Sequence, residues 1–235
     1  RRDEDDNRFC VLTDNTFRTM VGGRDTYLLE TVLLSGTYTI DWYLKTLLKE
    51  TSSIEELTQQ AAQLPPGAEG LTLLPYWNSA LNPYWDADAR GVIIGWRGIH
   101  TQAHVFRAIL EGIAFEQRLH TEGVVDALSE EIDTYIMMGG GSRSDLWCQI
   151  IADVTGRTVQ RSATAEAASL GVAMLAAVEA GFFPSLVSAS ETMSRTMGVP
   201  FVPDTERKMV YERLYRHVYL PMYPVLKGIM GRLKG

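Results

Sequence analysis

A run of three glycines, Gly139, Gly140 and Gly141, is the feature of this sequence whose residue types most directly suggest chemistry. An apolar segment of strand length precedes the run, and a helical pattern of apolar residues begins just after it. Residues without a Cβ atom let a ligand approach the backbone closely, and the free N–H groups at a helix start favour polar or anionic ligand groups. The segment is therefore a candidate binding loop, although a tight turn that binds nothing would have the same sequence.

The polar residues after the glycines admit two interpretations. Ser142 or Ser144 can cap the helix, and Asp145 in its first turn is favoured by the helix dipole, so each has a structural role as an alternative to ligand contact. The spacing excludes two common phosphate loops. No Gly-Lys-Ser/Thr follows as in a Walker A loop, and the dinucleotide fingerprint is incomplete because Ser144 stands where its third glycine would be.

Other reactive side chains give weaker patterns. His100 and His104 are four residues apart but lack the spacing of a metal motif and a third ligand, so no metal site is predicted. No serine lies in a Gly-x-Ser-x-Gly elbow, which argues against a hydrolase. The aromatic residues Trp77, Tyr84 and Trp85 could stack on a sugar or base, but a loop folded onto its own core explains them as well, and we favour the core.

The composition is that of a globular protein. The chain has 235 residues, 46% of them hydrophobic, and a formal net charge of −7, which argues against nucleic acids and anionic membranes as partners. Two cysteines, Cys10 and Cys148, suit a reducing cytoplasm, and neither a membrane-spanning run nor a signal peptide is evident. Because the sequence begins at Arg1 without methionine, we expect a fragment of a longer protein.

Hydrophobic periodicity and turn residues predict alternating strands and helices. Strands are expected at residues 9–12, 71–74, 91–95, 134–138 and 158–160, those at 71–74 and 91–95 interior to the fold. Helices are expected at residues 27–49 (as one helix or two in series), 54–62, 101–120, 146–155, 165–180 and 186–196, and from 204 to the proline at 221. The alternation predicts an α/β domain with helices over a sheet.

Four side-chain expectations accompany these helices. Arg107 and Glu111 should pair on the face of their helix opposite its apolar residues. Thr164 should cap the helix at 165–180, Gly171 within it should pack closely on a neighbour, and Gly181 should end it.

Several segments, in order along the chain, resemble the FGGY family of carbohydrate kinases. Residues 82–91 begin the likeness, and Gly91-x-Ile93-x-Gly95-Trp96, seven further residues and then residues 104–111 match the family's C-terminal signature, with an aliphatic residue usual at Trp96. The glycine loop at 139–145 and the segments 166–171 and 180–183 continue it.

The resemblance implies a ribonuclease-H-like, actin-type ATPase domain, with a mixed sheet flanked by helices. In the family this is the second of two lobes that close on MgATP and a sugar or polyol. The resemblance implies that Gly140 and Gly141 approach the nucleotide and that Ser144, beside Asp145, takes the place of a polar adenine contact. It also implies that a second turn, with Gly98 and Gln102, faces the nucleotide. The full set of nucleotide-binding residues that the resemblance implies is Gly98, Gln102, Gly139, Gly140, Gly141, Ser144 and Asp145.

The family's Asp-Gly-Thr phosphate loop, its sugar contacts and its catalytic aspartate have no counterpart in the sequence. Asp25 in Gly22-Gly23-Arg24-Asp25 imitates the aspartate motif but lies too close to the segment at 27–49 to be assigned as the base. Residues 1–235 are therefore expected to be the C-terminal lobe alone, without a catalytic residue, and with the sugar or polyol bound through a missing N-terminal lobe.

The implied reaction transfers the γ-phosphoryl group of ATP, with Mg²⁺, to a hydroxyl of a ketose or polyol. Xylulokinase-like and glycerol-kinase-like substrates both remain open, as does a homodimer. An alternative is a non-catalytic actin-like module that binds nucleotides or partners. A chaperone or acyl kinase of the actin-like group would fit the fold but not the signature at 91–111.

Overall fold

The structure is a computed structural model that describes residues 9–11, 17–20 and 27–233, with side chains from residue 28 onward. The strands form three sheets. An antiparallel sheet contains β1 (Phe9–Val11), β2 (Phe17–Met20) and β3 (Tyr27–Glu30), and an antiparallel pair contains β4 (Thr72–Leu74) and β5 (Val92–Ile94). The third sheet contains β6 (Thr134–Met137), β7 (Thr158–Ser162) and β8 (Thr196–Phe201), in which β7 pairs parallel to β6 and antiparallel to β8.

Helices separate and cover these strands. They are α1 (Gly36–Trp42), α2 (Ile54–Ala62), α3 (Gln102–Leu128), α4 (Asp145–Thr155), α5 (Ala167–Glu179), α6 (Leu186–Met193), α7 (Thr205–Leu214) and α8 (Leu220–Met230). A π-helical turn at Tyr43–Leu47 extends α1, and another at Tyr215–Tyr219 joins α7 to α8. The predicted α/β class with a mixed sheet is confirmed. In the part of the chain that the structure describes, no helix is both long and apolar enough to cross a membrane.

The helix α3 is the centre of the core. It packs on α2, on α4 and on β4, and most of its first five turns are buried. Its Phe115 ring contacts three tyrosines spaced four residues apart, Tyr211, Tyr215 and Tyr219, with ring centroids 6.0, 6.0 and 5.1 Å away. This spacing places the tyrosines on one face of the α7 to α8 segment, and that face covers α3.

Local sequence signals account for the start of α2, which the prediction placed correctly. The Ser53 hydroxyl accepts a hydrogen bond from Glu56 N at 3.1 Å, and the Glu56 carboxylate accepts one from Ser53 N at 3.0 Å. Such a capping box satisfies two N–H groups that a helix start leaves unpaired. It fixes where α2 begins, and the first residues of α2 line the site described below.

The ion pair between Arg107 and Glu111 forms, at 2.8 Å, but its predicted position on an exposed face is wrong. Both side chains are buried between α2, α3 and α7, where Arg107 also donates to Ala61 O at 2.8 Å. The Glu111 carboxylate accepts from Gly67 N at 3.0 Å and from the Tyr211 hydroxyl at 2.7 Å. Burial raises the pKa of Glu111, and these donors oppose the rise.

Two predicted helices at the ends of the chain are wrong in extent. Residues 27–30 form strand β3 rather than helix, because pairing with β2 overrides a leucine pattern that fits either structure. At the other end the helix continues past Pro221 and through Pro224 to Met230. A π-helical turn just before Pro221 shifts the hydrogen-bond register of the backbone. The missing proline N–H therefore does not end the helix at Pro221.

The segment around α5 holds further corrections. Thr164 is not the cap, because α5 begins at Ala167 and the Thr164 hydroxyl instead accepts from Glu166 N in the preceding turn. A Cβ atom at Gly171 would meet no atom within 4 Å, so this glycine is not closely packed. Gly181, at φ 79°, does follow the helix end as predicted.

The strand β8 was missed, and the helix predicted over 186–196 ends at Met193. Alternation of Met197, Val199 and Phe201 fits a strand, and β8 pairs with β7 at the edge of the sheet, where Pro200 is tolerated. The strand β5 is shorter than predicted and is not fully buried, since Ile94 is exposed.

Candidate functional site

The glycine loop connects the end of β6 to the start of α4. Gly139 has φ 75° and ψ −170°, a conformation that is open essentially to glycine alone. A single 3-10 turn, Gly140–Arg143, follows. The loop is braced internally, because Ser142 bonds the Gly139 carbonyl both through its amide at 3.3 Å and through its hydroxyl at 2.7 Å.

The next two glycines differ in what surrounds them. A Cβ atom at Gly141 would lie 2.4 Å from the Trp147 ring, so packing against this ring requires glycine. A Cβ atom at Gly140 would meet nothing within 4 Å, and its φ lies outside the left-handed region. Packing and conformation therefore do not explain the absence of a side chain at Gly140, and this position faces open space.

That open space is a cavity of about 270 Å³ between the glycine loop and helices α1, α2, α3 and α4. Its walls are mostly apolar, with hydroxyl groups and one carboxylate among them. The lining residues are Thr37, Ile40, Asp41, Ile54, Thr58, Phe106, Leu110, Gly140, Gly141, Ser144 and Trp147. The Trp147 indole N–H is buried and has no hydrogen-bond partner. An apolar space with a few polar groups is typical of small-molecule sites.

A second cavity of about 470 Å³ adjoins the first and shares Ile54, Thr58, Gly140 and Ser144 with it. The residues that line only this second cavity are polar or charged: Glu55, Gln59, Arg143 and Asp145. The two cavities together pass from apolar walls to charged ones. This gradient suits a ligand with an apolar end and a polar end.

Ser144 and Asp145 both have roles within the protein itself. The Ser144 hydroxyl caps α4 by accepting from Trp147 N at 3.2 Å, so the capping interpretation of this residue is confirmed. Its own O–H is still able to donate, because an accepting hydroxyl keeps its proton. The Asp145 carboxylate forms an ion pair with Arg161, and this hydrogen bond raises the pKa of the Arg161 guanidinium.

Three residues of the predicted set, Gly98, Gln102 and Gly139, do not line either cavity. Gly98 lies in the exposed turn between β5 and α3. Gln102 begins α3, one turn before Phe106 in the cavity wall, and its side chain donates to the Ser52 hydroxyl at 3.0 Å. The backbone carbonyl of Gln102 accepts a hydrogen bond from the Tyr43 hydroxyl at 2.9 Å, and burial raises the pKa of Tyr43 to about 12.

Sequence reasoning missed the walls that α1 and α2 provide. Thr37 and Asp41 lie four residues apart on α1, as do Ile54 and Thr58 on α2, and this spacing is the only signal that each pair shares a face. Nothing local connects them to a loop some hundred residues later in the chain. Long-range packing on α3 brings them together.

His104, considered from the sequence as a metal ligand, is bonded to other residues of the protein. His104 donates to Glu69 at 3.2 Å and accepts from Thr101 N at 3.1 Å. Within residues 9–11, 17–20 and 27–233, no three His, Cys, Asp or Glu residues are grouped to hold a metal ion. Asp25 lies outside the described residues.

The core interpretation of the aromatic loop is correct for two residues. Tyr84 stacks on Tyr223 with centroids 3.9 Å apart, and Trp77 contacts Trp42 at 5.1 Å. Trp85 is exposed, so the prediction is wrong there.

Comparison with known proteins gives consistent matches. The sequence model described as "FGGY family of carbohydrate kinases, C-terminal domain" matches residues 7–180. A xylulose kinase of Bacillus subtilis is 32% identical over 213 residues, which are 91% of this chain and 42% of that protein. A ribulokinase of Geobacillus thermodenitrificans is 35% identical over 193 residues, or 78% of this chain and 33% of that protein.

The fold is shared with solved structures. The crystal structure of ligand-bound xylulose kinase from Lactobacillus acidophilus superposes with a TM-score of 0.84 at 21% identity, over 94% of this chain and 44% of that one. This likeness confirms the ribonuclease-H-like, actin-type fold. The chain spans less than half of the length of each of these proteins.

Proposed function

The chain belongs to the FGGY family of carbohydrate kinases, and on that premise we propose that it forms the adenosine side of the active site of an ATP-dependent sugar or polyol kinase. The observation that carries this proposal is the open face of Gly140 on the cavity of about 270 Å³. Pockets for small molecules commonly measure about 300–1,000 Å³, so this cavity and its neighbour together are large enough for a nucleotide.

The polarity of the two cavities sets the orientation of the nucleotide. The adenine ring lies between the apolar residues of α1 and α3 and the backbone of Gly140 and Gly141, where a side chain would exclude it. The Ser144 hydroxyl is available to donate a hydrogen bond to a ring nitrogen. The ribose and phosphates then extend towards the charged cavity that Arg143 lines.

Phosphoryl transfer depends mainly on positioning and electrostatics, and it also needs a group to orient the acceptor hydroxyl. Mg²⁺ is commonly held by phosphate oxygens and one or two carboxylates, so we propose that it enters with the ATP phosphates. No residue of the described site is assigned as the base. In this proposal the base and the sugar contacts belong to the other lobe, and this chain alone binds nucleotide without turnover.

Isothermal titration calorimetry with ADP tests the pocket. Wild type should release heat on binding, and Gly140→Val should weaken binding by at least about tenfold because the side chain enters the adenine space. The control is Gly171→Val, whose Cβ atom also meets nothing within 4 Å but lies on α5. Equal heats of ADP binding from wild type and Gly140→Val would refute the proposed pocket.

The acceptor sugar requires a separate experiment. The relatives are named as kinases of different substrates, xylulose and ribulose among them, so similarity does not choose the acceptor. Screening the full-length protein against pentuloses, hexuloses and polyols, with ADP release as the readout, would identify it. Absence of any acceptor-dependent ADP release would favour a non-catalytic module.

A further inference from the structure

Arg161 of β7 lies behind the glycine loop and binds it at two points. Its Nε donates to Ser142 O at 2.5 Å, and its guanidinium forms the ion pair with Asp145. The same guanidinium lies over the Phe201 ring, 4.8 Å from the centroid, and 3.8 Å from Cys148 Sγ. The planar group is thus held by an aromatic face while its donors reach the loop, an arrangement that lysine cannot reproduce.

These two bonds fix the segment that carries the proposed nucleotide contacts. Ser142 lies within the turn that follows Gly139, and Asp145 is the first residue of α4, so Arg161 joins the turn to the helix start. Arg161 itself lines neither cavity. Its effect on a bound ligand must therefore pass through the loop.

The ion pair also matters for charge. The Asp145 side chain is largely exposed and lines the charged cavity, where an unpaired carboxylate would repel nucleotide phosphates. The Arg161 guanidinium pairs with this carboxylate although Arg161 lines neither cavity. Ordered loop geometry and a neutralised carboxylate both favour an anionic ligand.

We propose that Arg161 is a positioning residue for nucleotide binding, which holds the glycine loop in its binding geometry and cancels the charge of Asp145. This inference rests on the proposed function. The nucleotide-binding residues that the family resemblance implies do not include Arg161.

The chain offers a matched control in Arg157, just before the same strand. Arg157 Nε donates to Ile132 O at 2.5 Å, and its guanidinium lies 3.5 Å from the Glu131 carboxylate. The two arginines therefore make the same kinds of contact, one before β6 begins and the other after it ends. Only Arg161 contacts the glycine loop.

The experiment compares Arg161→Met with Arg157→Met by ADP calorimetry and by hydrogen exchange of residues 139–145. Arg161→Met should bind ADP about tenfold more weakly and should increase exchange in that segment, whereas Arg157→Met should keep wild-type affinity within about twofold. Adding Asp145→Asn to Arg161→Met should recover part of the affinity, since the unpaired carboxylate is removed. A purely structural role would not produce that recovery.

Two results would overturn the inference: ADP affinity in Arg161→Met equal to wild type, or an equal loss in Arg157→Met. If wild type itself fails to bind ADP, the proposed function fails instead, and hydrogen exchange then decides the role of Arg161. Unchanged exchange of residues 139–145 in Arg161→Met would show that the arginine does not hold the loop.

Discussion

Replacement of Arg107 by methionine is expected to destabilise the fold strongly. The change removes the guanidinium that pairs with the buried Glu111 carboxylate and leaves this carboxylate with donors from Gly67 N and the Tyr211 hydroxyl. Removing one partner of a buried ion pair typically costs about 3–5 kcal/mol, because the other charge stays buried without compensation. An exposed pair at the same spacing contributes about 0–1 kcal/mol, so Lys45→Met, which breaks the exposed pair with Asp41, is the control.

The cost should depend on pH. Burial already raises the pKa of Glu111, and loss of Arg107 removes the largest opposing cause, so we expect the pKa of Glu111 in the folded variant to lie further above its value in the unfolded chain. A raised pKa in the folded state means that stability is present at low pH and is lost as pH rises. Arg107→Met should therefore lose more stability, relative to wild type, at pH 8 than at pH 5.

Urea unfolding followed by circular dichroism at both pH values measures these free energies. The double variant Arg107→Met with Glu111→Leu should recover much of the loss, because apolar replacement of a whole buried pair is often neutral. A loss below about 1 kcal/mol in Arg107→Met, or a loss independent of pH, would refute the role of Arg107 as the compensating partner of buried Glu111.

Three further predictions concern single residues. The hydrogen bond from the Tyr223 hydroxyl lowers the pKa of Asp86. Tyr223→Phe should therefore lower the free energy of unfolding by about 1 kcal/mol at pH 7 and by less at pH 3, because the stability that a lowered pKa contributes is lost at low pH. In the same urea titrations, Tyr38→Phe should leave the free energy of unfolding unchanged, because Tyr38 is exposed. Gly139→Ala should lower stability by about 1–3 kcal/mol in thermal unfolding, because its backbone conformation disfavours a side chain; an unchanged melting temperature would contradict this. Gly171→Ala should raise stability by about 0.5–1 kcal/mol, since it lies within a helix with open space at its Cβ position, and a loss would reveal an unseen contact.

Sequence reasoning succeeded where a structural signal is local. The start of α2 and the glycine-marked turn at 139–141 each depend on a few neighbouring residues, and each was placed correctly. It failed where partners are distant. Strand β3 has a pattern that also fits a helix, and only pairing with β2 decides between the two.

The candidate site divides in the same way. The glycine loop and Ser144 could be predicted, but the walls from α1 and α2 could not, because α3 brings them to the loop from far along the chain. Asp145 was ambiguous for the same reason. Its partner Arg161 lies sixteen residues later on a different element, and no periodicity relates a helix start to the end of a strand.

The three glycines, which look equivalent in the sequence, have three different explanations in the structure. Gly139 is required by backbone conformation, and Gly141 is required by the Trp147 ring against it. Neither reason applies to Gly140, so the alternative of a turn that binds nothing explains two glycines and leaves the third unexplained. The hypothesis of a ligand therefore rests on Gly140, because it is the one glycine of the loop where a side chain would be tolerated by the fold and excluded only by an occupant of the cavity.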